Sequence, residues 1–193
     1  MIMPERTQHL DPRAPLVLDT RDLPRRPGAM RSTQLDLPTP EHLGLDMIGV
    51  PEGTTLAADL RLEWVAEGVL VSGTITAPVT GECGRCLRPI ADTVRVTIQE
   101  LYAVAGSATE ETTDADEISR LDGDLLDLEP AVRDALVLEL PTNPLCRPDC
   151  PGLCPECGVH LDDVPADHHH EQIDPRWAAL GGLADDQRPP DGS

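Results

Sequence analysis

From Leu56 onward the chain alternates apolar and polar residues with a period of two. Leu56, Ala58, Leu60, Leu62 and Trp64 interleave with Ala57, Asp59, Arg61 and Glu63, the pattern of a half-buried strand. Glu67-Gly68 marks a turn. Val69, Val71, Gly73, Ile75 and Ala77 then share one face, opposite Leu70, Ser72, Thr74 and Thr76. A third strand is predicted over Ile90, Val94, Val96 and Ile98, with Arg95, Thr97 and Gln99 on its other side. Together these segments predict an antiparallel meander with one packed and one solvated face. Upstream, Leu16-Val17-Leu18 reads as a short strand. The Pro- and Gly-containing stretch around Arg21 to Arg31 excludes a regular helix.

The period changes after residue 126. Asp127 is placed to N-cap a helix with Glu129 and Pro130 in its first turn. Val132, Ala135, Leu136 and Leu138 supply its apolar contacts, and Pro141 ends it. A second, short amphipathic helix is expected from Asp174 and Pro175 through Trp177, Leu180 and Leu183. The predicted class is α+β: an antiparallel β-meander, a packing helix and a zinc-bound, Cys-rich C-terminal segment. One domain is expected over residues 15–183, between a disordered stretch, 1–14, and a disordered tail, 184–193. Within that domain, residues 104–120 read as a flexible acidic loop, rich in Gly, Ser, Thr and Ala.

Composition adjusts this picture in two ways. With Phe absent and only two Trp and one Tyr, the core must be built from Leu, Val and Ala, which bury less area per residue. Such a core gains from a metal staple. The formal net charge of −20 argues against generic nucleic-acid binding, where Lys and Arg on phosphates dominate affinity, and suits a basic partner. The N-terminus is polar and proline-studded, and no apolar run approaches a membrane span. The sequence therefore reads as cytoplasmic, without membrane contact, and its cysteines as metal ligands rather than disulfides.

Four of the six cysteines, Cys146, Cys150, Cys154 and Cys157, fall within twelve residues. The other two, Cys83 and Cys86, sit at the predicted tip between the second and third strands, where a hairpin turn can present two thiolates. His168-His169-His170 lies downstream. Counted in pairs, Cys83/Cys86, Cys146/Cys150, Cys154/Cys157 and His168/His170 (with His169 as a substitute) make eight ligands, enough for two four-coordinate zinc sites. One assignment joins Cys83, Cys86, Cys146 and Cys150 at one zinc, and Cys154, Cys157 and two histidines at another. A competing one closes a single site from Cys146, Cys150, Cys154 and Cys157. A third pairs Cys83 and Cys86 with Cys154 and Cys157. His160 is a further possible donor. The first assignment is preferred because it leaves no reduced thiol pair idle, and the count stays at one or two structural ions.

The spacing of Cys83-Gly84-Arg85-Cys86 and Cys154-Pro155-Glu156-Cys157 also occurs in thiol oxidoreductases, but there the pair opens a helix after a buried strand. Neither pair here does so. Four-ligand sites leave no position for a catalytic water, and no phosphate loop, nucleophile elbow or His-Glu-x-x-His motif occurs. No enzyme activity is expected.

The run Leu140-Pro141 through Pro144-Leu145-Cys146, followed by Cys150-Pro151-Gly152-Leu153-Cys154-Pro155-Glu156-Cys157-Gly158, resembles the C-terminal signature of the YceD-like proteins. Cys83-Gly84-Arg85-Cys86-Leu87 is similar to that family's Cys-x-Arg-Cys-Leu, and Asp174-Pro175-Arg176 to the Asp-Pro-Arg of its last helix. Where many members carry Cys-x-Cys before Asp-Pro-Arg, this chain has the His triplet, a chemically conservative change for zinc. The resemblance spans roughly residues 15–183. It implies a role in accumulation or processing of large-subunit ribosomal RNA. With the acidic charge, it leads to the expectation of a non-catalytic factor that engages a basic ribosomal protein or a pre-large-subunit particle and acts on the RNA indirectly. The alternative is direct RNA binding through Arg21, Arg25, Arg26, Arg31, Arg85, Arg88 and Arg95.

Overall fold

A computed structural model describes residues 9–112, 114 and 118–170. The chain divides into two compact units, one running through Cys150 and one beginning at Pro151, within the span read from the sequence as one domain. The expected helix at residues 174–183 and the tail at 184–193 lie outside the described residues.

In the first unit, β1 (Val17–Asp19) is followed by β2 (Met30–Pro38), β3 (Leu43–Gly44) and β4 (Ile48–Val50). The three long strands of the meander come next: β5 (Thr55–Val65), β6 (Gly68–Glu82) and β7 (Pro89–Ala103). A single-turn helix, α1 (Ala108–Thr112), and β8 (Leu125–Asp127) lead to the principal helix, α2 (Glu129–Glu139). β1 and β8 form a separate two-stranded antiparallel sheet. The main sheet runs β2-β5-β6-β4-β3, with β7 on the other side of β6.

The period-two pattern translates directly into burial. Leu56, Ala58, Leu60 and Leu62 of β5 and Val69, Val71, Ile75 and Ala77 of β6 are buried, and Val96 and Ile98 of β7 continue the layer. Val132 and Leu136 of α2 close over it, with Leu16, Leu126 and Leu128 from the small sheet and its flanks. Tyr102, the one tyrosine, is buried, and its hydroxyl donates to the Asp127 carbonyl at 2.8 Å. Burial, and then the nearby charges of Glu100 and Asp127, raise its pKa.

Several expectations need correcting. β2 was not foreseen. Its half-buried positions are Arg31, Thr33 and Leu35, a row too polar to show the alternation. The helix N-cap is Leu128, not Asp127, which ends β8. Asp127 still supplies the capping chemistry one residue further back, its carboxylate accepting the Glu129 N–H at 2.9 Å. Residues 9–14, expected to be disordered, are held in place: Leu10 donates its N–H to Asp122 at 2.7 Å, and Ala14 to Asp11 at 2.9 Å. The ends of the acidic loop are tied as well, Ala103 bonding Ser119 and Leu121 bonding Ala103 through the main chain.

Two backbone positions explain themselves by space and conformation. Gly73 sits mid-strand in β6, and a Cβ there would lie 2.1 Å from the Asp59 carbonyl oxygen. A glycine inside a strand marks such close approach. Leu87, at the tip between β6 and β7, adopts φ +59°, a left-handed conformation that costs a leucine energy, and its side chain is 57% exposed.

The second unit, over its described residues, is a knuckle at Cys154–Cys157, an isolated antiparallel bridge between Leu153 and His160, and one 3₁₀ turn, Leu161–Asp163. The buried apolar cluster, from Leu16 to Leu140, lies in the first unit.

These placements give two stability predictions. Gly73→Ala should destabilise the first unit by ~2–4 kcal/mol, because backbone rather than a flexible side chain must yield. Leu87→Gly should instead stabilise it by ~0.5–1 kcal/mol by relieving the left-handed strain. Urea unfolding of both variants checks the pair of signs.

Candidate metal centre

The tip of the β6–β7 hairpin is closed by main-chain hydrogen bonds that aim two thiols the same way. Cys83 donates its N–H to the Arg88 carbonyl (2.9 Å), and Leu87 donates to the Cys83 carbonyl (2.9 Å). The left-handed φ of Leu87 is what lets this turn close. The second unit repeats the geometry: Cys154 bonds Val159 (2.8 Å), Gly158 bonds Cys154 (2.9 Å), and Gly158 takes φ +71°. The two Cys-x-x-Cys stretches are thus the same local structure, with Leu in one and Gly in the other at the strained position.

Past α2, residues 140–145 run back onto the hairpin tip. Gly84 donates its N–H to the Pro144 carbonyl at 2.8 Å, and a Cβ on Gly84 would fall 2.1 Å from the Asn143 amide oxygen. Arg85 reaches across to the Cys150 carbonyl at 2.9 Å. These contacts deliver Cys146 and Cys150 to Cys83 and Cys86. The four sulfur atoms lie within 4.8 Å of one another, with Cys83–Cys150 at 3.8 Å and Cys86–Cys146 at 3.7 Å. Cys83, Cys86 and Cys150 are buried and Cys146 is exposed.

Those separations discriminate between chemistries. A disulfide needs sulfurs at about 2.05 Å, so the cysteines are free. A tetrahedral ion with thiolates at about 2.3 Å would set them about 3.8 Å apart, the spacing observed. The electrostatics are prepared for anionic sulfur at one end. The Cys83 thiol is brought down to about 6, chiefly by the Cys146 main-chain N–H and then by those of Arg85 and Cys86, against the opposing effect of burial. Cys146, exposed as a residue but with its sulfur turned in among the other three, is pushed up to about 12, first by desolvation of that sulfur and then by the neighbouring cysteines. Four crowded thiols cannot all ionise without a cation among them.

In the second unit Cys154, Cys157, His168 and His170 present one ligand atom each within 4.8 Å of one another. Cys157 Sγ is 3.6 Å from His168 Nε2, and the two histidine Nε2 atoms are 3.1 Å apart. A tetrahedron with bonds of about 2.3 Å to sulfur and 2.0–2.1 Å to nitrogen has edges close to these. Cys154 is lowered to about 6, mainly by the Cys157 main-chain N–H and next by that of Glu156. The His170 Nδ1 lies 3.8 Å from the Glu156 carboxylate, near enough for electrostatic attraction to a protonated ring but longer than a hydrogen bond. His169 turns its Nδ1 to the Asp167 carbonyl instead (2.7 Å). His160 belongs to neither set, and its Nδ1 is buried without a hydrogen-bond partner.

The arginines of the alternative reading are less free than the sequence suggests. Arg21 pairs with Asp19, Arg25 with Asp124, and Arg31 with Asp22 at 3.4 Å. Arg25 also lies over the Trp64 ring, 5.7 Å from its centre. Arg95 reaches Thr74 at 3.4 Å. Glu156 and Asn143, which sequence reasoning passed over, sit against the two donor sets: Glu156 lies between Cys154 and Cys157, and the Asn143 amide oxygen lies against Gly84. Among the described residues no helix is long and apolar enough to cross a membrane.

No solved structure matches the chain. Uncharacterized protein Rv2926c of Mycobacterium tuberculosis is 52% identical over 167 residues, covering 86% of this chain and 80% of its own. Uncharacterized protein ML1660 of Mycobacterium leprae is 44% identical over 167 residues, covering 86% and 76%. Uncharacterized protein YlbN of Bacillus subtilis is 26% identical over 127 residues, covering 65% and 70%. The profile described as "Large ribosomal RNA subunit accumulation protein YceD" matches residues 71–184, more than half of the sequence and the part that holds both donor sets. The chain belongs to the YceD family.

Proposed function

We propose that this protein is a non-catalytic zinc-binding factor that supports accumulation of large-subunit ribosomal RNA, acting through a basic ribosomal protein or an assembly intermediate. The observation that carries the reading is the pair of four-donor sets, one of four sulfur atoms and one of two sulfur and two nitrogen atoms, both at tetrahedral spacing. Each set supplies four protein ligands, so a zinc ion held there has no open position for a water or substrate, and its role is structural. Cys83, Cys86, Cys146 and Cys150 hold one ion; Cys154, Cys157, His168 and His170 hold the other. The family description supplies the ribosomal context. The net charge of −20 favours a protein partner over bare RNA, since every phosphate contact would oppose that field. The protein works in the cytoplasm, where its thiols stay reduced. Direct RNA binding is the second reading, supported by the exposed Arg26 and weakened by the carboxylates beside Arg21, Arg25 and Arg31 and by the bond of Arg85 to the Cys150 carbonyl.

Metal analysis of the purified protein should give two zinc ions per chain and no thiol open to alkylation. One zinc with two reactive thiols would refute the paired assignment. Cys86→Ser should lose one zinc and lower the melting temperature of the first unit, because binding and folding share one free energy. Cys157→Ser should also lose one zinc, yet leave the cooperative melting of the first unit within a few degrees, since the apolar cluster lies there.

The partner class is settled by a salt titration. The protein should bind basic large-subunit ribosomal proteins and bind precursor ribosomal RNA weakly. Tight RNA binding whose affinity falls steeply with salt would replace this reading by the direct one.

A further inference from the structure

Strand β7 is an edge. It pairs with β6 along its whole length, Glu82–Pro89 to Gly68–Ala103, and with no other strand among the described residues. Thr93 faces Pro78 in a pair that exchanges no main-chain hydrogen bonds, so its N–H points away from β6 and is taken up by the neighbouring Asp92 carboxylate at 2.7 Å. In an antiparallel pair the N–H and C=O of one residue point the same way and successive residues alternate, so Ala91, Thr93, Arg95 and Thr97 turn these groups to the open side.

Beside that edge lies a cleft of about 290 Å³ between β7 and the segment leaving α2. Its apolar lining includes Ile48, Val79, Ile90, Val94, Leu140 and Leu145. Two carboxylates, Asp92 and Glu139, line it as well, and Arg95 touches it from the opposite side of the strand. Asp92 lies on the same face of β7 as Val96 and Ile98, at the exposed end of that row where it borders the cleft. A charge on this face of an edge strand blocks pairing with a second copy, whose own Asp92 would bring a like charge to the same apolar cleft. The same carboxylate admits a cation.

We propose that the free edge of β7 around Ala91–Thr97 and the adjoining cleft form a strand-addition site for an extended basic segment of a partner protein. The partner's main chain bonds to the outward N–H and C=O groups and takes over the Thr93 amide. Asp92, released from that amide, then meets an Arg or Lys whose aliphatic stem lies on Ile90 and Val94. This names the kind of segment recognised, and it rests on the reading of the partner as a basic protein.

The test uses the full-length, zinc-loaded protein and a fluorescein-labelled peptide of alternating Arg and Val, read by anisotropy at physiological salt. Three variants are compared: Thr93→Pro, which removes an outward amide on an edge where proline is tolerated; Asp92→Asn with Glu139→Gln; and Asp36→Asn with Asp59→Asn, an equal charge loss on the solvated face of β2 and β5. Thr93→Pro and the cleft double variant should each weaken binding about tenfold or more. The control double variant should change it less than about twofold. Equal weakening by both double variants, or unchanged binding by Thr93→Pro with its β6–β7 amide protection intact, overturns the site. Concentration-dependent self-association that Thr93→Pro abolishes overturns the choice of partner. If Thr93→Pro still binds basic large-subunit ribosomal proteins as the parent does, the edge is wrong and the escort reading stands. If the parent binds none of them, the escort reading itself has failed.

Discussion

Four sulfur atoms gathered within 4.8 Å at the closed end of a hairpin impose a condition that the rest of the first unit must meet. As thiolates they repel; as thiols three of them are buried with few donors nearby. The main chain resolves part of this by turning amides of Cys146, Arg85 and Cys86 onto Cys83. The remaining charge calls for a cation. Strand length, the exit of α2 and the path of residues 140–150 all converge on that point. The proposed zinc is therefore less an addition to the fold than the meeting place of three of its segments.

The apolar core shows why such a staple matters. It is a layer of Leu, Val and Ile with one buried aromatic, Tyr102. Glycines at close approaches, as at Gly73, let strands pack without large side chains between them. A layer of this kind gains less per residue than an aromatic core. Over its described residues the second unit goes further, having Cys154 as a buried side chain but no share in the apolar cluster. What ties those residues together is turn hydrogen bonds and the convergence of Cys154, Cys157, His168 and His170.

Much of this was legible in the chain. The three meander strands declared themselves because Leu56 to Trp64, Val69 to Ala77 and Ile90 to Ile98 alternate cleanly between a wet and a dry face. β2 did not, because Arg31 and Thr33 occupy its half-buried positions and are held there by neighbours that sequence alone does not reveal. At the site, spacing identified the ligand pairs, but which pairs share a centre depends on tertiary path. Only the return of residues 140–145 onto Gly84, fixed by one main-chain hydrogen bond to Pro144, brings Cys146 and Cys150 to the hairpin. The histidines could be named as a group, with His169 as a substitute for either neighbour, but that His169 turns to the Asp167 carbonyl and leaves His168 and His170 to the cysteines was not readable.

The position of Cys83 and Cys86 at a hairpin tip has a consequence for how the chain reaches its native pairing. β6 and β7 match over fifteen residues, and on the Thr- and Ser-rich solvated face little distinguishes one alignment from the next. A slip by one residue would move one strand by about 3.3 Å along the other and turn its side chains to the opposite face. It would also open the knuckle, carrying the two sulfurs out of reach of Cys146 and Cys150. An ion that bound only when all four meet would thus act as a proofreader of alignment, rewarding one pairing of a long and otherwise permissive hairpin.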